Sequence, residues 1–304
     1  MSVSATHLAT RYESFRIPSI LYRDRVLNGL INSIHAQDGF QMTTLATIIM
    51  LNIHEVFEAD AESWVKHLKA AGTFVRNYLQ KCENPDTSTR MLFDIFLYHN
   101  ALALISTKQS DLFMEYYTSN SWCALKDRSA FLASVDTLLS LVARLSVFAT
   151  NPNVSNSDSE RNPELSVIHR KLQLWSPPDD ISDDARNTAE AMRHAALLYY
   201  NQLACPFGAS NAVITSYQAI IDHLREISIF SPAVASHLWP LYTAGAASRH
   251  LNGTNDDREF ISNRLSQMQA SRSIKSIDRV RECLEKLWLG SGAEVDSRTS
   301  LVLF

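Results

Sequence analysis

Residues 213–229 read VITSYQAIIDHLREISI, and the apolar positions Val213, Tyr217, Ile220, Ile221, Leu224 and Ile227 recur at spacings of three and four. That period places them on one stripe of a helix, which must pack against other helices through it. The same pattern recurs near the C-terminus, where Ile277, Val280, Leu284, Leu287 and Trp288 share a face and Arg279, Arg281, Glu282, Glu285 and Lys286 take the other. Gly290 and Gly292 follow at once, as expected just past a helix C-cap. Similar periodicity predicts helices over Ile20–His35, Thr43–Glu58, Trp64–Leu79, Met91–Ser106, Phe131–Ala149 and Asp184–Leu203.

Composition supports the same fold class. The 304 residues include 8 Gly and 9 Pro, where average usage would give roughly 21 and 15. A fold of many strands needs positive-φ turn residues that this chain lacks, so the expectation is all-α: a multi-helix bundle or stack of helical hairpins with about ten to twelve helices. With 46% hydrophobic residues the chain can bury a sizeable core. No apolar run approaches the roughly 20 residues that span a bilayer, and MSVSATHLATRYESF is not a secretory leader. An intracellular protein without a membrane partner is expected.

Residues 150–164, TNPNVSNSDSERNPE, read as a surface linker. The expected organisation is an N-terminal helical half (1–150), a flexible linker loop (151–164), a C-terminal half of the same domain (165–290) and a tail (291–304). A second break at residues 175–184 contains Pro177 and Pro178, with Ser182 placed to cap the next helix. Pro232 after Ser231 fits the first turn of another.

Enzyme signatures are missing from this sequence. It holds no Gly-x-Gly-x-x-Gly, Walker A loop, Gly-x-Ser-x-Gly elbow or His-Glu-x-x-His; His54-Glu55 opens like the last but no second histidine follows at the required turn. Cys82, Cys123, Cys205 and Cys283 form no Cys-x-x-Cys pair and read as buried free thiols, so no metal site and no cofactor are expected. A net charge of -4 argues against direct nucleic-acid binding. His99 and His194 sit on strongly apolar helices and read as core histidines. Arg144, on LLSLVARLSVF, either snorkels at the core edge or anchors an anion in a cavity.

Five segments, in order, resemble a known family. Trp64-x-x-His67-Leu68-x-x-Ala71, Phe96-x-Tyr98-His99, Ala191–Tyr199, LWPLYTAGAA at 238–247, and Asp257-Arg258-Glu-Phe-Ile with Arg264-Leu and Val280-x-x-x-Leu284-x-x-x-Trp288 look like the fungal-specific regulatory domain of zinc-binuclear-cluster transcription factors. The likeness runs from about Ser4 to Trp288. Physically, Pro240 occupies a tolerated first-turn position, Gly245 among alanines admits a second helix closely, and Arg258 and Glu259 read as a solvated face. The resemblance implies an all-α bundle with an internal cavity, nuclear location and transcriptional control. The family's zinc cluster needs six clustered cysteines, which this chain lacks. Ser4-Ala-Thr-His-Leu-Ala resembles a segment that in the family follows earlier helices, so those helices too are expected to be missing.

The functional expectation is a stand-alone transcription-factor-like regulatory domain without a DNA-binding module, tied to secondary metabolism and binding a small apolar metabolite. Phe96, His99, Arg144, Tyr199, Trp239 and Tyr242, aromatic or polar residues on otherwise apolar helices, are the candidate ligand-binding residues; none is assigned a catalytic role. A second copy of the chain or another regulator is the expected macromolecular partner. The alternative is a helical scaffold recruited as a cofactor-independent cyclase or isomerase of a natural-product pathway, a pericyclase in the cytoplasm, since such chemistry needs only a held conformer and a hydrogen-bond donor. A further reading is a truncated gene model whose zinc exon was missed.

Overall fold

The computed structural model describes residues 1–35, 41–80, 85–107, 130–150, 163–204, 210–249, 251 and 255–290. These residues form twelve α-helices and no strand: α1 (Ser2–Ala9), α2 (Arg16–His35), α3 (Met42–Glu58), α4 (Ala61–Leu79), α5 (Thr87–Thr107), α6 (Ala130–Thr150), α7 (Pro163–Leu174), α8 (Asp183–Ala204), α9 (Asn211–Arg225), α10 (Leu238–Ala247), α11 (Asn255–Arg272) and α12 (Lys275–Trp288). Short 3-10 turns precede α2 (Glu13–Phe15) and α10 (Pro232–His237). No helix among the described residues is long and apolar enough to cross a membrane.

Chain neighbours pair. The packed pairs are α1 with α2, α3 with α4, α5 with α6, α8 with α9, and α11 with α12, and α8 also packs on α6, α7 and α10. One hydrophobic core runs from Leu45 on α3 to Leu284 on α12, across both halves. The closure comes from α12 packing back on α3 and from α1 reaching the end of α11. There Arg11 donates to the carbonyls of Ala270 (2.8 Å) and Ser271 (3.1 Å), and His7 Nε2 donates to that of Arg272 (2.7 Å). Those carbonyls end a helix and have no partner within it, so the Arg11 cation just past α1 and the His7 N–H of α1 cap them.

Helix ends follow side-chain chemistry. Asp60 accepts from Ser63 N–H at 3.0 Å, and Ser210 and Ser231 accept from Val213 and Ala233. Ser182 caps α8 through Ala185 N–H, as its position predicts. Gly290 has φ +65°, the left-handed conformation that ends α12 just past its cap. At Gly245 a Cβ would lie 2.7 Å from Leu284 Cδ1, so α10 and α12 approach as the alanine-rich stretch predicts, and Trp288 Nε1 donates to the Gly245 carbonyl at 2.8 Å.

Three expectations shift. The helix read over 213–229 stops at Arg225, and Ile227 stays buried beyond it because the chain bends toward the core. α7 begins at Pro163, two residues inside the stretch read as linker, since Pro suits a first helical turn and Glu164 follows there. Residues 151–162 and the tail at 291–304 lie outside the described residues, as do Cys82, Cys123 and Cys205; Cys283 is a buried free thiol. Arg258 is not on a solvated face: it donates to the Ser248 carbonyl at 3.0 Å and lies 5.9 Å from the Trp288 ring centroid, while Glu259 is exposed.

Candidate functional site

The turn between α3 and α4 brings unlike groups together. Ala59 takes a left-handed conformation (φ 56°) that ends α3, and Asp60 starts α4 one residue later. The helices then lie side by side, locked by Asn52 donating to the Trp64 carbonyl (3.0 Å) and Trp64 Nε1 donating to Asn52 Oδ1 (3.1 Å). In that register the last turn of α3 faces the second turn of α4. Glu55 Oε1 thus receives Arg23 Nη2 from α2 at 2.9 Å, with His67 Nε2 at 3.4 Å and His54 Nδ1 at 3.7 Å.

Glu55 is only 1% exposed, yet it is charged. Burial acts to raise its pKa, but the contacts with His54 and His67 and the positive charge of Arg23 outweigh it, and the carboxyl is held at about 2. Above it opens a cleft of about 380 Å³, lined by Ala9 and Thr10 of α1, Glu13, Arg16, Ser19, Ile20 and Arg23, His54 and Glu58 of α3, and Lys275 of α12. Lys275 is paired with Glu58 at the rim, and Arg16 with Glu13. His54 is 3% exposed and lines this cleft, but neither of its ring nitrogens has a partner in hydrogen-bonding geometry among the described residues. A buried imidazole normally satisfies at least one nitrogen, because leaving it bare costs about 1–3 kcal/mol.

The six residues singled out from the sequence fall on four helices. Phe96 and His99 are buried on α5; Arg144 is on α6, Tyr199 on α8, and Trp239 and Tyr242 on α10. Because α8 packs on both α6 and α10, Tyr199 sits on the helix between the other two groups. His99 Nδ1 accepts from Trp64 Nε1 at 3.4 Å, and burial pushes its pKa down to about 3, so it is a neutral core imidazole. Arg144 pairs with Glu164 at 2.9 Å and joins α6 to α7. Burial raises the phenols of Tyr199, which is beside Ser146, and Tyr242, which is beside Cys283, to about 12. None of the six lines the cleft under α1 and α2.

The charged cluster beneath the cleft was partly visible. His54-Glu55 stands out as a dipeptide and His67 belongs to the Trp64-x-x-His67 segment, but only the α3–α4 turn shows that they meet. At the α8–α9 pair, one ligand atom each from Glu190, His194 and His223 lies within 4.8 Å of the others, a grouping capable of holding a metal.

The family model described as the fungal specific transcription factor domain matches residues 1–292. No curated protein and no solved structure matches the chain.

Proposed function

Because the chain belongs to the fungal-specific transcription factor domain family, we propose that it serves transcriptional control in the nucleus as a regulatory domain, taking a small polar metabolite in the cleft that α1 and α2 close against α3 and α12. The observation that carries this reading is His54, buried on the cleft wall with neither ring nitrogen in a hydrogen bond among the described residues, Nδ1 standing 3.7 Å from Glu55 Oε1 and Nε2 without a contact of that kind. A ligand that hydrogen-bonds it recovers what folding leaves unmet. Arg23, which lines the cleft, is already held by its 2.9 Å ion pair with Glu55, so the ordering cost of engaging it is reduced. Acidic and basic groups alternate around the opening, which favours a metabolite presenting both a donor and an acceptor over the wholly apolar ligand expected from the inner helices.

The same cleft suits a regulatory output. Its roof is the α1–α2 pair, and α1 caps the end of α11 at the far side of the chain. A ligand that holds α1 down therefore biases the junction between the first and last helices, a two-state element that a bound effector can shift.

The test is a transcription assay. The chain is fused to a heterologous DNA-binding domain, and reporter output is compared with that of the binding domain alone, for the wild type and for His54→Leu. We expect the fusion to change output and His54→Leu to lose that change at equal protein level. Output equal to the binding domain alone rejects the regulatory role, and an unaltered response in His54→Leu rejects the cleft as the effector site.

A further inference from the structure

We infer that Glu190, His194 and His223 form a zinc-binding site between α8 and α9, for which the neighbouring Arg193 guanidinium is a built-in competitor. Glu190 and His194 stand four residues apart on α8, one helical turn, so they share a face. His223 comes from α9, and the three ligand atoms lie within 4.8 Å of one another. A tetrahedral zinc site sets its ligands about 3.4 Å apart, so modest side-chain rotations close the set. Two imidazoles and one carboxylate are a donor set that suits zinc.

The surroundings prepare both imidazoles for a metal. His223 Nδ1 donates to Asn187 Oδ1 at 2.9 Å, which fixes the tautomer and leaves the Nε2 lone pair free to ligate. Such a second partner on the other ring nitrogen is the usual companion of a metal-ligating histidine. His194 Nδ1 is buried and has no partner among the described residues.

Arg193 occupies the position a cation would take. Its Nε donates to Glu190 Oε2 at 2.7 Å and its Nη2 to His194 Nε2 at 2.9 Å, so one guanidinium engages two of the three ligands. Zinc must displace it, and removing the guanidinium must raise zinc affinity. This inference is independent of the effector cleft, which lies on other helices.

Isothermal titration of the full chain with zinc chloride at pH 7.5 decides it. We expect one zinc per chain in the wild type, at least tenfold tighter binding by Arg193→Gln, and at least tenfold weaker binding by His194→Ala and by His223→Ala. Circular dichroism of Arg193→Gln must match the wild type, which separates a gain at this site from zinc taken up by cysteines and histidines of an unfolded chain; the test then stands even if a histidine variant folds poorly. Absence of binding in both the wild type and Arg193→Gln overturns the site. Histidine variants that titrate like the wild type place the zinc elsewhere and overturn it equally, and equal affinities for Arg193→Gln and the wild type overturn the competition.

Discussion

Arg264 on α11 and Glu55 on α3 are both charged groups taken out of water, one in each half of the chain, and they are surrounded in opposite ways. Arg264 donates to the carbonyls of Leu224 (2.7 Å) and Ile227 (2.9 Å), at and just past the end of α9, and lies 5.4 Å from the Phe260 ring centroid. It closes off carbonyls that have no helical partner and does not line the cleft under α1 and α2. Glu55 is also well held, but its companions are not: His54, His67 Nε2 and Arg23 Nε lack partners in hydrogen-bonding geometry among the described residues. A buried charge that completes its neighbours is scaffold. One that gathers unsatisfied neighbours beside an opening is poised for something that arrives from outside.

Substitutions can break this contrast, beginning with the largest effect. Arg264→Ala leaves two buried carbonyls bare and should cost about 2–4 kcal/mol of stability in urea unfolding; a loss below about 1 kcal/mol would remove Arg264 from the scaffold side. Glu55→Gln should cost about 1–2 kcal/mol at pH 7, because a buried, ionised carboxylate that Arg23, His54 and His67 surround is replaced by a neutral amide while Arg23 stays a third exposed to water. The sign of its pH dependence follows from the depressed folded pKa. Its stabilisation is complete above the ordinary carboxyl value of 4.5 and is lost as pH falls through about 2. The difference in urea midpoint between wild type and Glu55→Gln should therefore shrink steadily from pH 5 to pH 2, and a constant difference would contradict a charged Glu55.

His54→Leu sharpens the contrast from the other side. The substitution relieves an unsatisfied Nε2 but also removes a contact that helps keep Glu55 ionised, so stability should change by less than about 1 kcal/mol in either direction, although it abolishes the reporter response. A loss of more than about 1 kcal/mol would make His54 scaffold as well. Helix caps supply the smallest effects and a baseline for both halves: Asp60→Ala should cost about 1 kcal/mol and Ser210→Ala, whose bond is longer at 3.4 Å, about 0.5 kcal/mol by thermal unfolding.

The helices were largely legible because the 3.6 period reports which face is buried, and every stretch with that period became a helix. The stop at Gly290, the cap at Ser182 and the first turn at Pro232 were legible because single residues carry them. Arg258 was misread because its partners, Ser248 and Trp288, are set by how α10 and α12 pack, which no local pattern encodes. The candidate site was less legible still. His54 and His99 look alike in the sequence, each a histidine on an apolar helix, and both are buried. What separates them is that Trp64 donates to His99 while His54 faces a cleft, and that difference arises from four helices meeting. Glu190 and His194 showed helical spacing, but His223 joins them only through the α8–α9 contact.

The cap that α1 places on α11 joins residues as much as 265 positions apart. Contacts of that span form late, since the intervening chain must first be ordered. As the chain emerges from the ribosome, α1 and α2 appear well before the carbonyls that seat α1. Meanwhile α2 carries Ile17, Ile20, Leu21, Ile31 and Ile34, which stay exposed even in the finished fold. These two helices thus wait with apolar surface uncovered while the rest of the domain is made, and a chain cut before Ala270 keeps that surface and loses the anchor that positions α1.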